Sequence, residues 1–200
     1  MYRLFIFFCA FIFLSCNKSE ITRSHNGLAI LGELQSSWVR NFNPLSPSGL
    51  ARWPTNSGIY EPLFIYNSLN QEYLPWLGLD YNWREKNKTL NIITRSGVFW
   101  SDGKSFTAED VSFTYNLIKE YPALDTRGSW NYLDNVIAVN DTVVQFDFKR
   151  VYVPGFYDIV NRSIVPKHIW EGVNDPVKFS NPNPVGTGPF TEIFMLYVCP

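Results

Sequence analysis

Hydrophobic and polar positions repeat with two different periods along this chain, and each period predicts its own kind of element. From Thr107 onward, Val111, Tyr115 and Ile118 recur at i, i+4 and i+7, with Thr114 and Leu117 widening the stripe. That spacing gathers them on one face and predicts an amphipathic helix. Thr107 is its N-cap, Asp110 three residues later completes a variant of the capping box, and Glu109 with Asp110 sets negative charge against the helix dipole. Pro122 stops it. Between Thr142 and Lys149 the period drops to two: Val144, Phe146 and Phe148 face a core while Gln145, Asp147 and Lys149 face water. Asn135 to Val139 supplies a partner strand, and Asn140-Asp141 between them reads as a two-residue hairpin turn.

Shorter signals fill the rest. Leu28 to Leu34 and Thr89 to Thr94 are strand-like, apolar and β-compatible. Ile59 to Tyr66 predicts a short helix running into a strand, with Asn67 to Gln71 as its turn. Gly155 to Asn161 predicts a helix, and Ser163 to Trp170 leads into another. Asn41 to Gly49 is dense in turn residues, and Asn183 to Phe190 precedes an apolar run to Val198. Strands and helices are mixed along one chain, so the class is α/β.

The N-terminus follows a different logic. Arg3 is followed by an uncharged apolar stretch from Leu4 to Leu14. It is too short for a bilayer, which needs about 20 residues, and fits the core of a secretory signal. It ends at Phe13-Leu14-Ser15-Cys16, which resembles a bacterial lipoprotein cleavage site, although Phe13 stands where leucine is usual. Residues 1–15 are therefore expected to be a signal peptide, Cys16 the lipidated first residue of the mature chain, and the polar residues 16–27 a tether. Of three cysteines, Cys9 leaves with the signal and Cys16 carries lipid, so Cys199 has no partner for a disulfide.

A net charge of -1 without any basic stripe argues against nucleic acid as a partner. Aromatic residues make up 17% of the chain; large core side chains account for most of them, and some Trp and Tyr sit beside polar turn residues as ligand-stacking groups do. Catalytic chemistry finds no foothold. His25 and His168 cannot build a zinc site with one remaining cysteine. Glu109 and Asp110 are adjacent on a helix and point about 100° apart, so capping explains them better than acid–base work. Gly186-Thr187-Gly188 lacks the phosphate-loop pattern, and no G-x-S-x-G elbow occurs. No enzyme, metal site or cofactor is expected.

Tyr73 to Lys119 resembles the family 5 bacterial solute-binding proteins, the oligopeptide- and dipeptide-binding type. The residues are Leu74-Pro75-Trp76-Leu77, Trp83, and the run from Thr94-Arg95-Ser96-Gly97-Val98-Phe99-Trp100-Ser101-Asp102-Gly103 through Lys104-Ser105-Phe106-Thr107-Ala108-Glu109-Asp110-Val111. Tyr60-Glu61-Pro62-Leu63, Val165-Pro166-Lys167-His168 and Val185-Gly186-Thr187-Gly188-Pro189 agree in order; Gly78 and Thr94 depart, where alanine and leucine are usual. Most of these residues shape turns and caps, so the signature marks a fold more than a ligand.

The resemblance implies the N-terminal part of a two-lobed, class II periplasmic-binding-protein-like fold with mixed sheets. It places the first strand and loop of lobe I at 28–58, an accessory subdomain at 59–150, and a return into lobe I at 151–200. Relatives are more than twice as long, so lobe II is expected to be lacking here and the 200-residue chain to bind solute poorly by itself. It further implies a receptor that captures peptides or oligosaccharides outside the cytoplasmic membrane and delivers them to ABC permease subunits. Such a receptor is lipid-anchored and monomeric when full-length. A surface glycan-binding lipoprotein uncoupled from transport is the alternative. By the same analogy Trp130, Asn41, Phe42, Asn43 and Arg162 are the expected ligand contacts.

Overall fold

A computed structural model describes residues 40–47, 51 and 54–190. The expected signal segment, Cys16, the tether with His25, the strand at Leu28 to Leu34, and the final run to Val198 with Cys199 lie outside the described residues. Two antiparallel sheets and three helices organise the rest. A hairpin pairs β1 (Phe64–Asn67) with β2 (Glu72–Pro75). A four-stranded sheet runs in the order β3-β4-β6-β5, built from β3 (Gly78–Arg84), β4 (Thr89–Thr94), β5 (Leu133–Asn140) and β6 (Val143–Phe148). Between them in sequence lies α1 (Ala108–Glu120), and α2 (Gly155–Val160) and α3 (Lys167–Trp170) follow the sheet.

The period-two pattern of β6 settles the register. Leu90 and Ile92 of β4 pair with Phe146 and Val144, and Val136 of β5 pairs with Phe146 from the other side. All five are buried, and α1 lays Val111, Tyr115 and Ile118, also buried, against this sheet. Tyr115 meets Phe146 edge to face at 5.0 Å. Each such side chain is worth about 1.5–3 kcal/mol when fully buried, so this layer dominates the stability of the unit. The turn of the hairpin is Asp141-Thr142, one residue later than expected. Asn140 still pairs with Val143, and its side chain accepts the Thr142 N–H at 2.9 Å, which makes it the start of the turn.

The helix begins as its sequence predicts. Thr107 is extended, its hydroxyl accepts the Glu109 N–H, and the Asp110 carboxylate accepts the Thr107 N–H at 2.9 Å. Asp110 does more than cap. It also accepts the Lys167 N–H at 2.9 Å and the Trp100 indole N–H at 3.3 Å, joining three segments through one buried carboxylate. The turn before it uses Gly103 at φ 85°, while Asp102 accepts the Lys104 N–H and meets His168 Nε2 at 2.7 Å.

One helix was misplaced and two strands were missed. The helix before β1 is not at Ile59 but a π-helical turn over Thr55–Ile59, between Pro54 and Pro62, with Tyr60 N–H reaching back to the Thr55 carbonyl. Strands β2 and β3 escaped the pattern because most of their residues are exposed on both faces, which leaves no alternation to read. Gly186 and Gly188 lie directly on this π-turn: a Cβ at either would run into the Ile59 or Gly58 carbonyl. Their spacing serves that close approach. Among the described residues no helix is long and apolar enough to cross a membrane.

Candidate functional site

Arg162 sits between α2 and the buried Ile164-Val165 segment, and only 5% of it is exposed. Burying a guanidinium requires partners. Its terminal nitrogen donates to Asp125 Oδ1 at 3.1 Å and to Ser129 Oγ at 3.0 Å, and its Cζ lies 5.7 Å from the centre of the Tyr115 ring. The Nε–H has no hydrogen-bond partner among the described residues. A buried donor without a partner is costly, and this one is sealed from solvent. Other atoms of Arg162 line a cavity of about 510 Å³.

Four parts of the chain form that cavity. Pro44, Leu45 and Ser46 come from the first described loop, Asn56 and Pro62 from around the π-turn, Thr126 and Arg127 from the loop after α1, and Tyr157, Asn161, Arg162 and Ser163 from α2 and its exit. Ser163 Oγ bonds Asn56 Oδ1 at 3.2 Å, Asn161 Nδ2 donates to the Tyr157 carbonyl at 2.8 Å, and Arg127 donates to the Asp158 carbonyl at 3.2 Å. The wall is therefore polar, its side chains held in place by bonds within the protein, and it carries two guanidinium groups. It suits a ligand with carboxylate, carbonyl or hydroxyl oxygens. Among the described residues it holds no nucleophile–base pair, and no cluster of His, Cys, Asp and Glu is placed to hold a metal ion.

The expected contacts fall in different places. Arg162 is at the wall. Trp130 is half-buried one carboxylate away: its N–H bonds Asp125 Oδ2 at 3.0 Å, its indole N–H bonds the Tyr115 carbonyl at 2.9 Å, and Lys119 Nζ lies 4.1 Å from its ring centre. It packs against the core and does not line the cavity. Asn41 is half-buried, its side-chain Oδ1 accepting the Asn43 N–H at 3.1 Å. Phe42 is 1% exposed and part of the core. Asn43, wholly buried, donates to the carbonyls of Pro176 and Phe179 at 3.0 and 2.8 Å and accepts the Leu45 N–H at 2.8 Å. These residues pin the loop, so what it offers to the cavity is Pro44 to Ser46. Sequence reasoning missed Arg127, Tyr157, Asn161 and Ser163. The only trace of them was the polar triplet Asn161-Arg162-Ser163 between two apolar segments.

Residues 72–191 match the model of the "Bacterial extracellular solute-binding proteins, family 5 Middle". The nickel-binding periplasmic protein of Escherichia coli K12 is 27% identical over 170 residues, covering 79% of this chain and 31% of that protein. The dipeptide-binding protein of the same organism is 28% identical over 173 residues, 74% of this chain and 32% of its own length. Among solved structures, a periplasmic oligopeptide-binding protein of an oligopeptide ABC transporter from Thermotoga maritima superposes with a TM-score of 0.69 at 35% identity. It covers 75% of this chain and 28% of its own. The same Thermotoga protein with mannohexaose bound gives 0.68 at 34%, covering 75% and 28%. The chain thus spans about a third of the length of these relatives, which are solute-binding proteins by name. Its mixed α/β architecture is that of part of a periplasmic binding protein, and with most of the chain matched by one family model, the chain belongs to the bacterial extracellular solute-binding proteins of family 5.

Proposed function

We propose that this chain forms part of the substrate-binding component of an ABC importer, holding a peptide or oligosaccharide outside the cytoplasmic membrane for delivery to permease subunits. The observation that carries this reading is a polar cavity with two guanidinium groups in its wall, the buried Arg162 and the exposed Arg127, in a chain of this family. Residues 28–58 and 151–200 belong to the first lobe and 59–150 to its accessory subdomain. A second lobe in the longer protein closes over the cavity. Enclosure from two sides is how such sites bury most of a small ligand, and micromolar affinity corresponds to roughly 8 kcal/mol. Arg162 and the Pro44 to Ser46 loop contact ligand directly, while Trp130 supports Asp125 from behind.

A thermal-shift screen of the full-length protein against peptides and oligosaccharides tests this, followed by titration of Arg127→Ala. Arg127 is exposed, so its loss should weaken a stabilising ligand while leaving the melting temperature of the free protein nearly unchanged. A protein stabilised by no member of either class is not a receptor of this kind. Cys16 anchors the chain to a bacterial membrane in the same proposal, on the strength of the apolar stretch that ends at Ser15-Cys16. A palmitate analogue should label the wild type in cells and not Cys16→Ser; equal labelling removes the anchor.

A further inference from the structure

A second concavity of about 270 Å³ opens between β2, β3 and the start of α2. Tyr73, Tyr81, Trp83 and Tyr157 wall it, with Val153 and Pro154 at its edge. Phe156 is buried at the centre of the ring cluster, at 4.9 Å from Tyr73 and 4.3 Å from Tyr81 between ring centroids. Tyr66 braces the far side, 5.9 Å from Tyr157 and nearly perpendicular to it.

An assembly whose only task was to fill space would use Phe and close over. This one stays open, with Tyr81 39% and Tyr157 49% exposed, and the hydroxyls of Tyr73, Tyr81 and Tyr157 bond no described residue. Apolar ring faces with free hydroxyls at the edge match a pyranose, whose C–H faces are apolar and whose rim carries hydroxyls. Among the described residues no charged side chain lines the groove. Burial first, then the neighbouring tyrosines and the Asp158 carboxylate, push the Tyr73 hydroxyl above its ordinary pKa, which keeps it protonated and able to donate. The volume lies just below the about 300 Å³ at which drug-sized sites begin, so one ring fits and a longer chain does not. Tyr157 also lines the cavity at Arg162, which makes the two concavities neighbours across a single ring.

We propose that this groove is a saccharide subsite that stacks one neutral hexose unit of an oligosaccharide whose remainder lies in the cavity at Arg162. The inference rests on the receptor reading above and narrows its substrate class. Calorimetric titration of the full-length protein with neutral β-linked gluco- and manno-oligosaccharides, and with peptides of comparable size, tests it. The wild type should bind a saccharide, and Tyr81→Ala should weaken that binding roughly tenfold while melting at nearly the same temperature. Tyr81 touches this groove and not the cavity, so unchanged affinity in Tyr81→Ala overturns the subsite. Should that variant fail to fold, Tyr81→Phe keeps the ring and loses only the hydroxyl. Weaker saccharide binding there supports the proposal, and unchanged binding overturns it. Binding of peptides with no saccharide bound overturns the subsite and leaves the receptor reading standing, whereas binding of neither class overturns both.

Discussion

Asp102 and Asp110 lie eight positions apart and respond to their surroundings in opposite directions. Burial pushes the Asp110 carboxyl up, and the amides of Thr107 and Lys167 with the Trp100 indole recover only part of that. At Asp102 desolvation is again the largest single influence, but the His168 contact, the Lys104 amide and the nearby positive charges together outweigh it and leave the pKa lowered. A carboxylate whose folded pKa lies below its unfolded value contributes stability above the ordinary carboxylate range and loses it as pH falls through the folded value. Asp110, with a raised pKa, works in the other sense. Asp102→Asn should therefore lower the melting temperature near neutral pH and make the loss of stability on acidification shallower than in the wild type. Thermal melts from about pH 7 to about pH 3 measure this. Parallel acid limbs for the two proteins would mean that the Asp102–His168 contact does not operate in solution. The His168 partner of Asp102 was not readable in advance, because it lies 66 positions away. The sequence displays the tight turn and the cap, while tertiary structure adds the Asp102–His168 hydrogen bond.

Among elements, legibility followed burial. α1 and β6 each bury one side completely enough to imprint a period, β4 is buried on both faces and shows as a short apolar run, and each was predicted within a residue or two of its observed ends. β2 and β3 imprint none because water reaches both of their faces. The π-turn was misplaced because its geometry answers to the glycines of Gly186-Thr187-Gly188, more than a hundred positions downstream. The candidate site divides in the same way: Arg162 was named through family likeness, while its neighbours across the cavity come from four separate segments that no local pattern joins. The capped helix offers a clean measure of one such local signal. Thr107→Ala removes the hydroxyl that accepts the Glu109 N–H, and the cost should be about 1 kcal/mol in urea denaturation. Ligand affinity should not change, since Thr107 lines none of the concavities described here. A loss of affinity at constant stability would move this turn from scaffold to binding surface.

Across the whole molecule, the loop at 40–45 is held by residues near the other end of the described chain. Phe42 N–H bonds the Ser180 carbonyl at 2.8 Å, and Asn181 Nδ2 donates to the Phe42 carbonyl at 3.1 Å across a separation of 139 positions. Closing a loop of that size carries a logarithmic entropy cost of roughly 4 kcal/mol, which the contact recovers only once everything between is in place. Assembly order follows. A chain emerging N-terminus first can lay down the sheet and α1 from local pairings, but this loop must wait for the segment around residue 180 to arrive. Such late contacts are absent from the rate-limiting barrier, so weakening them should speed unfolding and leave refolding alone. Asn43→Ala removes three hydrogen bonds at a buried site and should cost about 2–3 kcal/mol, nearly all of it in the unfolding limb of a stopped-flow chevron. Slower refolding would instead place this long-range clasp in the nucleus. In the setting proposed above, outside the cytoplasmic membrane, a clasp that closes late keeps the polypeptide threadable until the segment around residue 180 has passed through.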